Sequence, residues 1–478
     1  MTEFDPRAVR AFRFTDCRFD PATGEARLGY AFDDGPVMEE VITIPGAPFA
    51  LDAARAAAVQ RALRLLHLIA GVSYYKAAVP PRIEIEGEGI DANTAALLTS
   101  VYENGLGEFA YRNGLHLRGK IHFPVSPVSP VGAPSGAKAL RRKASRLKAL
   151  LQGEPPAVGL KRHAIVAIGG GKDSLVSIEA LRALGVDQTV CWIGSSPLIR
   201  ACAERTGLAL LNIGRTLSPR LFELNRQGAL NGHIPVTAVN SAILALAALL
   251  HGHDQVVFSN ERSASYGSRI VAEDGTVTDE VNHQWSKGWD FERDFAAHLR
   301  GHVASDLHYY SLLRPFSELA VARQFARLDR YDQHFSSCNR NFHILGERPA
   351  QRWCGVCPKC HFVFLALAPF MPKPRLMTIF GRNLLDEPEQ APGYDALLEF
   401  RDHKPFECVG EGRESRAAMD ALADSPAWRE DALVKRYARE IRPQLAPEAR
   451  GLAPLLEASD DHGIPGELWG PLRAYFGA

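Results

Sequence analysis

The stretch Ala164-Ile-Val-Ala-Ile168-Gly169-Gly170-Gly171-Lys172-Asp173-Ser174-Leu175 decides how the chain is read. A β-branched apolar run ends in three successive glycines, and a helical pattern begins at Lys-Asp-Ser. The order is strand, tight turn, helix start. Backbone N–H groups without side chains around them can wrap a phosphate, and a helix N-terminus adds about half a positive charge. Lys172 adds a point charge and Ser174 a hydroxyl. Three glycines in a row cost backbone entropy, so a βα turn without a ligand is the weaker reading of this segment.

Two familiar phosphate motifs fail here. A Walker A loop requires Gly, four residues, then Gly-Lys and Ser or Thr; Gly171-Lys172 is followed by Asp173, and Val166 stands where the first glycine belongs. The dinucleotide fingerprint requires Gly or Ala where Ser174 stands. The segment resembles the pyrophosphate loop, Ser-Gly-Gly-x-Asp-Ser, with Gly169 in place of the first serine. That resemblance implies ATP cleaved between its α and β phosphates, adenylation of an acceptor, and release of pyrophosphate.

The chain has 478 residues, enough for two or three domains. Lys+Arg and Asp+Glu are both 55, so the net charge is zero and there is no general nucleic-acid footprint. The start, Met1-Thr-Glu-Phe-Asp-Pro, lacks the layout of a signal peptide, and the longest apolar run, Ala242 to Leu250, is too short to cross a bilayer. A cytoplasmic protein acting on a small molecule, with no nucleic-acid or membrane partner, is the expectation. The oligomeric state is not legible.

Strand and helix signals alternate downstream of Lys161. Strands are expected at Ala164–Ile168, Thr189–Ile193, Leu208–Ile213 and Gln255–Ser259. Helices are expected behind Lys172, with Leu175, Ile178, Leu181 and Leu184 on one side, and at Leu198–Arg205 and Val236–His251. Alternation of this kind means right-handed crossovers and a parallel sheet with ligands at strand C-terminal ends. Asn260, Glu261 and Arg262 follow the fourth strand and should share a crevice with the glycine turn; an ordinary polar loop is the bland alternative.

Upstream, Ala26–Phe32 and Val41–Ile44 alternate around a turn at Asp33-Asp34-Gly35, which reads as a β-meander. Helices follow at Leu51–Ala70, with Val59, Leu63, Leu66 and Ala70 in one stripe, and at Ala92–Tyr102. The expected layout is an α+β domain over 1–122, a Pro-rich linker and basic helix (Arg141 to Lys148) over 123–160, an α/β domain over 161–380, and a helical extension over 381–478 that includes Trp428–Ile441.

Eight cysteines do not suggest a disulfide scaffold. Cys354, Cys357 and Cys360 stand at Cys-x2-Cys-x2-Cys spacing, with Cys338 one loop upstream. Four thiolates around zinc form a closed, structural site. His343 or His361 is an alternative fourth ligand, and an iron–sulfur cluster an alternative occupant.

Some pyrophosphate-loop enzymes carry such a cysteine site late in the domain. From Lys161 to about Phe370 the chain resembles the 7-cyano-7-deazaguanine synthase group, including a Pro-containing helix at Arg314–Arg323. A fuller resemblance comes from Tyr30-Ala-Phe-Asp-Asp-Gly-Pro, Leu65–Lys76, Asn104–Arg112, Asn231-Gly-His-Ile-Pro-Val-Thr237 and Ser259-Asn-Glu-Arg-Ser-Ala-Ser265. Across its length the chain is similar to the UDP-N-acetylmuramoyl-L-alanyl-L-glutamate epimerase family, MurL. The implied fold is an α/β pyrophosphate-loop domain (adenine nucleotide alpha hydrolase-like) with a β-rich N-terminal domain and a helical C-terminal extension.

The implied activity is ATP-dependent inversion of a terminal glutamate through an acyl-adenylate. Gly169, Gly170, Gly171, Lys172 and Ser174 would hold phosphates. Asp173 would place Mg²⁺ or orient the loop, unless it only caps the helix. Lys172 and Asp173 are the expected catalytic pair, and ATP, Mg²⁺ and structural Zn²⁺ the expected cofactors. The epimerising base is not legible; His233, His283, His308, Glu261, Tyr266 and Lys287 are candidates. An adenylating ligase or synthase of the deazaguanine or tRNA-modification type, and a non-catalytic zinc-stabilised nucleotide-binding scaffold, are the alternatives.

Overall fold

The computed structural model describes residues 4–125, 155–271, 277–342, 348–400 and 404–477. The basic helix and most of the Pro-rich linker lie outside the described residues, as does His343. The strands are β1 (Ala11–Asp20), β2 (Glu25–Phe32), β3 (Met38–Thr43), β4 (Arg82–Ile85), β5 (Lys161–Ala167), β6 (Gln188–Ile193), β7 (Ala209–Thr216), β8 (His253–Phe258), β9 (Ser268–Val271), β10 (Val277–Val281) and β11 (His308–Ser311). Nine of them form a mostly parallel sheet in the order β11-β8-β5-β6-β7-β3-β2-β1-β4; β9 and β10 make a separate antiparallel pair.

The chain divides into two compact units. The first comprises Met1–Ala164, Asn212–Val256 and Arg293–Tyr309. In it β2 and β3 pair as expected of a meander, β1, which the sequence reading did not identify, pairs on the other side of β2, and β3 pairs antiparallel with the end of β7, Ile42 opposite Arg215. The buried Glu40 carboxylate accepts from Arg215 Nε at 2.8 Å across that junction. Phe12, Phe14 and Tyr30 are fully buried, and Tyr30 stacks on Tyr74 with centroids 4.5 Å apart. The helix Ala53–Ala70 is capped by Asp52, whose carboxylate accepts from Arg55 N at 2.8 Å. Its expected stripe, Val59, Leu63, Leu66 and Ala70, is buried, and the helix packs on the strongly apolar helix Val236–His251. Burial of that stripe, rather than helix propensity, holds the pair together.

The second unit comprises Ile165–Leu211, Val257–Glu292 and Tyr310–Ala478. Ile165 and Val166 on β5 are fully buried, and the helix Lys172–Ala183 buries Leu175, Ile178 and Leu181. Gly185, at φ +69°, lies just beyond that helix's C-cap, Leu184. Two expected helices differ in extent. The first spans Glu318–Phe325 and begins at Ser317, whose hydroxyl accepts from Ala320 N at 3.0 Å, so Arg314-Pro315-Phe316 is a turn before it. The other begins at Ala432, not Trp428, and its last turn, Tyr437–Ile441, widens to a π-helix. The C-terminal segment is tied down by the Leu455 carbonyl, which accepts from Ser317 Oγ at 2.6 Å.

Candidate active site

β5 delivers the glycine turn at its carboxyl end. Gly170 has φ +80°, a left-handed conformation that favours glycine. A Cβ on Gly171 would stand 2.5 Å from Ser337 Oγ, whereas one on Gly169 would meet nothing within 4 Å, so space opens beside that residue. Gly171 is the N-cap of the Lys172–Ala183 helix and no side chain caps it. Asp173 therefore sits inside the first turn and is not the cap. Ser174 Oγ accepts from Gly169 N at 3.4 Å and donates to the Gly171 carbonyl at 3.2 Å, holding the turn's shape.

Lys172 is fully buried, and its ammonium lies between the carboxylates of Asp173 and Glu318. Lys359 Nζ is 3.9 Å from the other Glu318 oxygen and also donates to the Cys408 carbonyl. Lys287 Nζ lies 3.2 Å from Cys408 Sγ. Arg314, itself buried, donates to Glu292 Oε2 from Nε at 3.0 Å and to the Glu261 carbonyl at 2.8 Å, and also reaches the Lys287 carbonyl. One guanidinium thus clamps the two backbone segments that carry Glu261 and Lys287. Buried Glu414 accepts from Glu318 N at 2.8 Å, Ser263 Oγ at 2.7 Å and Glu411 N at 2.8 Å.

The electrostatics follow from burial and crowding. Burial pushes Glu318 up to about 7 despite Lys172, with repulsion from Asp173 and Glu261 adding to it. Burial and then Asp173 raise Glu261. Burial likewise raises Glu414 to about 7. Burial works against the Asp173 carboxylate too, but Lys172 and Lys359 outweigh it and hold that group below its usual range. Burial would push the Cys408 thiol up, yet Lys287, a hydrogen bond from His283 and Lys359 bring it well below an ordinary thiol. Buried groups displaced this way are what acid–base chemistry requires.

The other expected residues separate. Glu261 is buried within reach of this charge cluster. Asn260 Nδ2 instead donates to Ser311 Oγ at 3.0 Å, and Arg262 Nη1 donates to the Glu457 carbonyl at 3.1 Å. Tyr266 donates to Glu399 at 3.1 Å. His233 Nδ1 is 3.8 Å from Glu108 in the first unit, and His308 opens β11. Glu318, Lys359, Cys408 and Glu414 are not legible in the sequence as site residues; only the place of Glu318 in the Pro-containing segment ahead of the cysteines is a signal.

Cys338, Cys354, Cys357 and Cys360 converge, every Sγ lying within 4.8 Å of the others. The Cys354–Cys360 and Cys357–Cys360 sulfur separations are 3.7 and 3.5 Å. Tetrahedral zinc with bonds of about 2.3 Å has an edge of about 3.8 Å, so the quartet suits one ion. His361 is engaged with Gln390 instead. The cluster also braces the crevice: Ser336 N, two residues before Cys338, donates to the Gly170 carbonyl at 2.9 Å, and Lys359 stands between Cys357 and Cys360.

Acids crowded against lysines beside the carboxyl end of β5 form the kind of site found in α/β enzymes. Two family models match the sequence: MurL N-terminal domain over residues 3–312 and MurL C-terminal domain over residues 334–451. The chain belongs to the MurL family. It is 66% identical to the UDP-N-acetyl-alpha-D-muramoyl-L-alanyl-L-glutamate epimerase of Xanthomonas oryzae pv. oryzae over the whole of both chains. It is 43% identical to the protein of that name from a Micromonospora species, over 96% of this chain and 97% of the relative. It is also 43% identical to the one from Salinispora tropica, over 90% and 88%.

Proposed function

We propose that this chain is an ATP-dependent epimerase of peptidoglycan precursor synthesis in the cytoplasm. It inverts the terminal L-glutamate of UDP-N-acetylmuramoyl-L-alanyl-L-glutamate to D-glutamate. The activity follows from family membership at high identity over the full chain. The observation carrying the mechanism is Lys172, buried between Asp173 and Glu318 beside an uncapped helix start and a glycine turn. The turn works as a pyrophosphate loop in an adenine nucleotide alpha hydrolase-like domain. No helix among the described residues is long and apolar enough to cross a membrane.

Each part of the crevice has a task. The backbone of Gly169, Gly170 and Gly171, with Lys172 and Ser174, holds the phosphates of ATP. Asp173 would place Mg²⁺ beside those phosphates. Bound there, Mg²⁺ would supply charge to neutralise the leaving pyrophosphate. The substrate's glutamate α-carboxylate attacks the α-phosphorus, a P–O bond forms, and the bond to pyrophosphate breaks. Loss of the carboxylate's charge lets the neighbouring C–H bond ionise into the acyl carbonyl. Reprotonation from the other face and hydrolysis of the acyl-adenylate release AMP and the D-glutamyl product. Cys338, Cys354, Cys357 and Cys360 would hold a structural zinc, tying together the loop and helix that carry Ser336 and Lys359. Asn260 and Arg262 support the walls.

The test incubates the protein with ATP, Mg²⁺ and the UDP-muramoyl dipeptide in deuterated water. AMP, pyrophosphate and deuterium at the glutamate α-carbon are expected. AMP without deuterium points to a ligase, and no turnover to a nucleotide-binding scaffold. Asp173→Ala should abolish AMP formation; an unaltered rate removes Asp173 from the mechanism.

A further inference from the structure

The α-proton needs an acceptor that is held ionised, lies at the crevice, and is not one of two carboxylates sharing a single buried cation. Asp173 and Glu318 are both spent on Lys172. Glu261 is buried and disposed to keep its proton, and Glu414 is consumed by three donors that join separate segments. Cys408 stands apart. The residue as a whole is half-buried. Lys287 Nζ is 3.2 Å from its Sγ, His283 donates to it, and the Lys359 ammonium is fastened to its carbonyl.

We infer that Cys408 is the base that removes the α-proton of the activated glutamyl residue, with Lys287 positioning its sulfur. The inference deepens the epimerase reading and rests on it. The C–H bond breaks, an S–H bond forms, and the electron pair moves into the carbonyl of the acyl-adenylate. A second, solvent-equilibrated acid protonates the opposite face, so the product carries one solvent hydrogen, and the thiol then returns its proton to water. A sulfur 3.2 Å from an ammonium is suited to this step, because the neighbouring cation favours the thiolate, the form that accepts a proton. The other cysteines outside the thiol quartet are unlike it: burial pushes Cys17 up, Cys202 up to about 12, and Cys191 higher still. Arg314 contributes indirectly, since it grips the Lys287 carbonyl and so sets where that ammonium stands.

The experiment has two arms on the full-length protein. In the first, wild type, Cys408→Ser and Cys408→Ala turn over ATP, Mg²⁺ and the UDP-muramoyl dipeptide in deuterated water. The variants should still release AMP, while α-deuterium incorporation falls at least about a hundredfold. Incorporation at the wild-type rate in folded Cys408→Ser overturns the assignment. Wild type that exchanges the α-proton without forming AMP sinks the adenylation reading and leaves the cysteine standing. The second arm needs no active-site variant for its main result: iodoacetamide at neutral pH, with peptide mass spectrometry, should alkylate Cys408 at least about tenfold faster than Cys17. Lys287→Met should slow that alkylation. Cys408 reacting no faster than Cys17 overturns the assignment independently of turnover.

Discussion

Replacing Lys172 by Met isolates the electrostatics on which the crevice is built. The side chain is nearly isosteric, but Glu318 loses the cation that holds it. In the wild type Glu318 titrates at about 7 when folded, against 4.5 for an ordinary glutamate. Between those values the folded protein keeps a proton that the unfolded chain has released. Stability owed to Glu318 therefore falls as pH rises through that window, by about 1.4 kcal/mol per unit, and levels off above it. Without Lys172 the folded carboxyl titrates higher still, and the fall continues past 7. Groups away from this cluster titrate alike in both proteins and cancel in the difference. The gap between wild type and variant should be modest near pH 6 and widen by up to about 1.4 kcal/mol per unit above pH 7. It should approach the 3–5 kcal/mol or so typical of a broken buried ion pair once Glu318 must be carried ionised. Lys359, at 3.9 Å, tempers the upper end. Urea unfolding followed by tryptophan fluorescence at about pH 6 and about pH 8.5 measures it. The same loss at both pH values refutes the reasoning.

The remaining predictions concern the crevice walls. Gly171→Ala should cost about 1–3 kcal/mol and depress AMP release, since its Cβ would meet Ser337 Oγ at 2.5 Å; adding Ser337→Gly should restore both, and no rescue by thermal unfolding and AMP assay speaks against the contact. Metal analysis should find one zinc per chain, and stripping it with a strong chelator should forfeit on the order of 10 kcal/mol of local stability. Amide exchange would then accelerate in Ser336–Phe342 and in the helix Pro358–Leu367; unchanged exchange there is the contrary result.

What is local in the molecule could be read before any coordinates. β5, the glycine turn and the helix Lys172–Ala183 follow from apolar periodicity and from glycine's freedom at positive φ, both properties of neighbouring residues. Three cysteines at two-residue spacings are equally local, and only Cys338 had to be placed across a loop. The partners of the turn are another matter. Glu318 meets Lys172 across 146 residues, and Cys408 meets Lys287 across 121. A buried charge carries no sequence pattern, because what tolerates it is the opposite charge brought by a distant segment. Asp173 had the composition of a cap, yet the helix starts at Gly171 and leaves its carboxylate free to face Lys172. The meander extends the sheet through β3 and β7 because sheet edges join by backbone hydrogen bonds, which every residue but proline offers alike. Sequence alone told that β2, β3 and β5 to β8 would be strands and that a glycine turn would lead from β5 into a helix. Tertiary packing chose which acids, lysines and thiol would face one another, since that choice depends on desolvation and proximity, and neither exists until the chain is folded.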